Sequence, residues 1–250
     1  MDFTSVFILF VTGVAAGFLN VMAGGGSLLA VPVMVFLGLP GPVANGTNRI
    51  AILTQNISAV TAFRRGGFSD FRLSLTLALA SLPGAVAGAL LGAHFGGVWF
   101  NRVLAIIMVC VMILSGLPRK SRPGPVSTGP ITKKRLIAGH LAVAAAGAYG
   151  GFIQVGVGFI LIPILQRILG LDLVRVNMHK VFIAGFYTVA ALTVFAIKSS
   201  VAWVPGLCLA AGASIGGWLG AHTSIKRGER LIRWILNIVL AIFAVKLLFF

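Results

Sequence analysis

Apolar residues run along this chain in long blocks, with polar residues confined to short intervals between them. The blocks at 3–22, 73–93, 103–117, 181–197 and 231–248 each approach the roughly 20 residues that carry a helix across a hydrocarbon core of about 30 Å. The stretch 1–40 is too long for one helix and is interrupted at Ala23-Gly24-Gly25-Gly26-Ser27, so it predicts two segments, 3–22 and a short 27–38. The same pattern recurs at 136–154 and 157–169, interrupted at Gln154-Val155-Gly156-Val157-Gly158. Three further segments follow each broken pair, at 43–63, 73–95 and 99–117, and at 176–197, 200–223 and 230–250.

The two sets are a repeat. Gly84, Gly88 and Gly92 match Gly212, Gly216 and Gly220, and both runs finish Leu-Gly-Ala-His, at His94 and His222. A small-xxx-small stripe lets two helix backbones approach closely in a bilayer. Upstream, Gly25 through Pro32 to Gly38-Leu39 parallels Gly156 through Pro163 to Gly170-Leu171. The expectation is an all-α polytopic membrane protein with a first repeat at 1–117, a linker rich in Pro, Gly, Ser, Lys and Arg at 118–135, and a second repeat at 136–250. Five segments per half make the second half inverted relative to the first, with broken or re-entrant helices near 20–27 and 154–158. Inverted repeats place a substrate near the midplane, where the halves meet.

Composition agrees. Of 250 residues, 58% are hydrophobic and only 10% charged, against the roughly 25% charged that a soluble domain needs. The formal net charge of +16 would suggest nucleic acid in a soluble protein. Here the cations gather in short loops, where they set orientation and meet anionic headgroups, so no nucleic-acid partner is expected. With the linker in the cytoplasm, Arg64, Arg65, Arg72, Arg119, Lys120, Arg122, Lys133, Lys134, Arg135, Arg167, Arg175, Lys226, Arg227, Arg230 and Arg233 fall inside, and both termini fall on the periplasmic side of a bacterial inner membrane. Cys110 and Cys208 lie inside apolar runs and form no spaced framework. The start at Met1-Asp2-Phe3 has no basic leader region and reads as a retained first helix.

The candidate chemistry sits at the breaks. A helix interrupted in lipid needs protein or water to satisfy its backbone. In Asn20-Val21-Met22-Ala23-Gly24-Gly25-Gly26-Ser27 the glycines let N–H groups converge, and Ser27 is a candidate N-cap for the short helix that follows. Helix N-termini attract anions. Gln154, Gly156 and Gly158 occupy the matching place. On the third helix Asn45, Asn48, Arg49, Gln55 and Asn56 share a broad face, with Thr47 among them; the second half has Asn177, His179 and Lys180. A cation within a span is by default a functional hypothesis. The plainer alternatives are a glycine-permitted crossing and cations that snorkel to headgroups. The only carboxylates are Asp2, Asp70, Asp172 and Glu229, all near loops or ends, and no metal-ligand or nucleophile–base spacing occurs. No enzyme activity, cofactor or metal is expected; the expected partners are a small anion and the bilayer, with a homo-oligomer left open.

These residues resemble the TauE/SafE family of sulfite and organosulfonate exporters. The resemblance lies in Gly17 through Gly24-Gly25-Gly26-Ser27 to Pro32, Ala44-Asn45-Gly46-Thr47-Asn48, Gly88 to Gly92, Gly150 to Gly158, Pro163 and Gly216 to Gly220, and spans essentially the whole chain. It implies export of a small sulfur-containing anion such as sulfite or sulfoacetate. The departure is Met178-His179, where the family pattern has Gly-Thr. A passive anion channel and a non-transporting membrane assembly subunit are the alternatives.

Overall fold

A computed structural model of the chain describes residues 1–94, 131–198 and 201–249, together with Arg102 and Ile106. Every regular element described is helical: α1 (Phe3–Ala23), α2 (Ser27–Phe36), α3 (Gly41–Arg65), α4 (Phe71–His94), α5 (Lys133–Ile153), α6 (Val157–Pro163, continued by a π-helical turn Ile164–Ile168), α7 (Leu173–Ile197) and α8 (Trp203–Phe249). Acidic residues cluster at helix starts, where the backbone dipole favours them. Asp172 accepts from Val174 N and Arg175 N, both at 3.0 Å, and Asp70 accepts from Leu73 N at 3.2 Å.

Among the described residues five helices are long and apolar enough to cross a membrane: α1, α4, α5, α7 and the Trp203–Arg227 part of α8. The bundle exposes large apolar side chains and buries a set of polar ones within its apolar core. Phe7, Ile57, Leu91, Leu141 and Val189 are exposed, while Asn45, Asn48, Arg49, Gln55 and Asn56 are buried. A surface of that kind suits lipid rather than water. α3 spans 25 residues but carries this polar face inward.

Two expectations change. The helix expected at 136–154 starts at Lys133, so the last linker residues are helical. The two segments expected at 200–223 and 230–250 are one continuous helix of 47 residues, about 70 Å long at about 1.5 Å per residue. Charge in the Lys226–Arg233 stretch suggested a loop, but Lys, Arg and Glu are good helix formers and the single Gly228 costs only about 1 kcal/mol. The segment expected at 99–117, and the linker up to 130, lie outside the described residues apart from Arg102 and Ile106.

Helix directions follow from which residues meet. Gly13 faces Leu209 and Ala213, Gly17 faces Ala213 and Gly217, and Gly220 faces Val21, so α1 and α8 run parallel. Gly84 faces Ala144 and Ala148, and Gly88 faces Ala148 and Phe152, so α4 and α5 also run parallel. Across the centre Asn56 lies beside Gly185, and the Arg49 guanidinium lies 4.5 Å over the Phe195 ring. The corresponding helices α3 and α7 therefore run in opposite directions.

The stripes are needed for these crossings. A Cβ on Gly88 would fall on the Ala148 carbonyl oxygen, and one on Gly216 on that of Val14. Gly88→Val and Gly216→Val are expected to lower the thermal unfolding midpoint in detergent, at a cost of about 1–3 kcal/mol or more from overpacking. Ala87→Val, at an exposed position on α4, should stay within about 0.5 kcal/mol.

Candidate functional site

Both breaks form where sequence placed them, and they touch. α1 ends at Ala23, and Gly24 turns left-handed (φ 85°), its N–H donating to Asn20 O at 2.9 Å and Leu19 O at 3.1 Å. α5 ends at Ile153; Gln154 (φ 49°) and Gly156 (φ 72°) carry the chain into α6. Gln154 is the one non-glycine at positive φ among the described residues, a conformation that costs on the order of 1–3 kcal/mol and clusters at functional sites. The backbones of Gly24 and Gly158 pack directly on one another. Gly25 lies against the Phe159 ring, and Gly26 against Asn20 and the Ala16 carbonyl.

Ser27 does not cap α2, contrary to expectation. Gly26 occupies the N-cap position in a helical conformation, and the Ser27 hydroxyl accepts from Asn48 Nδ2 at 2.9 Å. The contact ties α3 to the start of the short helix and leaves the first-turn N–H groups of α2 to other partners.

The two cations cross between halves. Arg49, on α3, donates from Nη1 to Gly150 O at 3.1 Å and from Nη2 to Gly151 O at 2.5 Å, in the last turn of α5. Asn45 donates to Phe152 O in the same turn at 3.0 Å. Lys180, on α7, donates to Val21 O in the last turn of α1 at 2.7 Å and to Asn177 Oδ1 at 2.9 Å. Each cation thus meets the electronegative end of the other half's interrupted helix. Arg49 is 0% and Lys180 3% exposed, which sets aside snorkelling to headgroups. Neither is within ion-pair distance of a carboxylate; the ion pairs among the described residues are Arg175–Asp172 and His179–Asp70.

Around Arg49 lie its own unpartnered Nε and Asn45 Oδ1, with the Tyr187 hydroxyl set beside the Gln154 side chain. Tyr187 covers Gly150, where an added Cβ would come within 2.5 Å of its oxygen. Gln55 Nε2, both amide atoms of Asn56 and Thr188 Oγ1 are likewise unpartnered. Buried polar groups are normally paired, and each exception costs about 1–3 kcal/mol; ordered water or a ligand would supply the missing partners here. Gln55 and Asn56 were legible as part of the α3 face. Tyr187 and Thr188 were not singled out in sequence, although two adjacent hydroxyls in an apolar helix are the signal that finds them.

Other candidates serve elsewhere. Thr47 Oγ1 accepts from Ala202 N at 2.8 Å, at the start of α8, and Asn177 Nδ2 donates to Ser224 Oγ at 3.4 Å. His179 points away from Arg49, toward Ser74 on α4.

A family model described as Sulfite exporter TauE/SafE matches residues 9–247. A probable membrane transporter protein, ORF9, of Sinorhizobium is 29% identical over 96% of this chain and 91% of its own length. The probable membrane transporter proteins YfcA of Escherichia coli K12 and YunE of Bacillus subtilis are each 26% identical, over 97% and 98% of this chain and 89% and 98% of their own lengths. No solved structure matches the chain.

Stripping the helix ends of their donors should be costly. Lys180→Met leaves Val21 O unpaired and is expected to cost about 1–3 kcal/mol. Arg49→Met, which strips two carbonyls, should cost more. Arg49→Lys should fall between, since an ammonium lacks the planar fork that reaches both. Unfolding by dodecyl sulfate titration in mixed micelles measures the series, and wild-type stability in Arg49→Met would refute the bonding described.

Proposed function

The chain belongs to the sulfite exporter TauE/SafE family, and we propose on that premise that it moves a small sulfur-containing anion, sulfite or an organosulfonate, across a bacterial inner membrane. The observation that carries this reading is the uncompensated positive charge beside unpartnered polar atoms at the α3–α7 crossing. A buried cation is expensive unless something neutralises it. Carbonyl dipoles offset part of the cost for Arg49 and Lys180, and a bound anion offsets the rest. Arg49 uses two of its nitrogens on carbonyls and keeps Nε for an oxyanion. Tyr187, Thr188 and the Asn56 amide offer further donors.

The helix directions support inverted halves. α3 and α7 are equivalent in the repeat and run oppositely, and the parallel pairs α1–α8 and α4–α5 exchange under the same symmetry. Rocking of one half against the other would expose the crossing to each side in turn. Export needs no counter-ion: with the cell interior negative, each outgoing negative charge gains about 2.3 kcal/mol per 100 mV. Burial of Arg49, Asn56 and Tyr187 at the crossing favours a carrier over an open channel.

The test is efflux of sulfite, sulfoacetate, thiosulfate and sulfate from loaded proteoliposomes at two clamped potentials. Tyr187→Phe and Asn56→Ala remove donors without disturbing the helix ends, and each is expected to slow efflux tenfold or more. Arg49→Ala combined with Lys180→Ala should abolish it. Wild-type flux in the Tyr187→Phe and Asn56→Ala variants would remove the crossing from the transport path.

A further inference from the structure

A second polar constellation lies outside the anion site. Where α3 turns into α4, a cavity of about 360 Å³ is lined by Phe63, Arg64, Asp70, Phe71, Ser74 and Phe182, among others. Arg64 and Arg65 put this end on the side that the positive-inside rule assigns to the cytoplasm. Behind its polar floor lies His179, wholly buried on α7. Nδ1 of His179 is 2.8 Å from Ser74 Oγ, and Nε2 has no hydrogen-bond partner. Asp70 is held by its role at the start of α4, with Oδ1 accepting from Leu73 N at 3.2 Å while Oδ2 faces Nε2 at 4.0 Å.

The donor inventory of imidazole makes this arrangement one-sided. A neutral ring has one N–H and one lone pair. Whichever nitrogen carries the hydrogen, Nε2 stays unsatisfied in a buried site, as a bare lone pair or as a bare N–H. A closure of about 1 Å to ordinary hydrogen-bond length would give the neutral Nε2–H tautomer only an uncharged donor on Asp70, whereas an imidazolium gains a charge-assisted pair with the Asp70 carboxylate and donates to the Ser74 hydroxyl as well. The other charges around the ring are Asp172 and Arg175 on its own helix, Lys180 as the next residue, which turns instead to Val21, and Arg64 on the cavity wall. Only Asp70 approaches Nε2 within ion-pair distance among the described residues.

We propose that His179, Asp70 and Ser74 form a proton-binding site reached through this cavity, and that proton uptake draws the α3–α4 turn onto α7. The proton comes from hydronium in the cavity: one of its O–H bonds breaks as the N–H bond forms on the imidazole lone pair, and a water molecule is left. Asp70 and Ser74 are themselves part of the cavity lining, so the same closure narrows the cavity. Anion movement and proton binding are thereby linked through α7, which carries His179, Lys180 and Tyr187 on one rigid helix.

Two readouts test the proposal on the full chain, and the first is independent of transport. Protein labelled with 13C at histidine Cε1, in detergent micelles, gives one resonance for each of four histidines, and His179→Gln assigns the relevant one. That resonance is expected to shift as the pH is lowered from neutral. Asp70→Asn should lower its proton affinity about tenfold or more, as loss of a neighbouring opposite charge does, and Ser74→Ala should lower it as well. The second readout is efflux against pH at clamped potential, whose pH dependence should move with Asp70→Asn and vanish in His179→Gln. A His179 resonance that does not titrate, or a midpoint unmoved by Asp70→Asn, overturns the site. A titrating resonance with efflux that does not follow it overturns the link to transport. Absence of any efflux in wild type would count against the transport reading while leaving the resonance test in force.

Discussion

A helix interrupted inside a bilayer strands the carbonyls of its last turn, because lipid offers no hydrogen-bond donor. The whole arrangement follows from how this chain meets that demand twice. Arg49 and Asn45, from the first half, satisfy Gly150, Gly151 and Phe152 at the end of α5. Lys180, from the second half, satisfies Val21 at the end of α1. Each break takes side-chain donors from a helix on the far side of the chain, which ties α3 to α5 and α7 to α1. The interaction also holds two positive charges in the interior without a carboxylate partner at hand, the condition under which an anion is held best.

Close approach makes the exchange geometrically feasible. Gly24 and Gly158 bring the two breaks into backbone contact, and the stripes on α4 and α8 seat α5 and α1 beside them. Tight packing at those crossings keeps water and lipid away from the guanidinium, which is stacked on Phe195. In that low-dielectric setting each donor aimed at a ligand counts for more than it would in water. The strained Gln154 and the unpartnered groups near it mark the same place from independent directions: backbone geometry in one case, hydrogen-bond accounting in the other.

Much of this was legible in the residues. Block length and low charge required membrane helices, and Ala23-Gly24-Gly25-Gly26-Ser27 located the first break to within a residue or two. The α3 face was readable because five polar side chains at helical spacing have no place against lipid. The end of α8 was not. Charge in the Lys226–Arg233 stretch reports on solvent, whereas a reversal needs a backbone breaker, and Gly228 alone is too weak a one. Ser27 misled for a related reason: a serine at a helix start suits a cap, but Asn48 from another helix claimed its hydroxyl.

Local chemistry along the chain therefore decided what kind of molecule this is, where its helices break, and that cations sit near the breaks, since burial cost and backbone satisfaction act on each segment as it stands. Partnership was decided only on folding. That Arg49 serves α5 and Lys180 serves α1, that Tyr187 joins Arg49, and that His179 turns instead to Ser74 and Asp70 depend on which helices cross and in which direction. Those contacts join residues about 100 or more positions apart in sequence, a separation at which periodicity along one helix carries no information about the other.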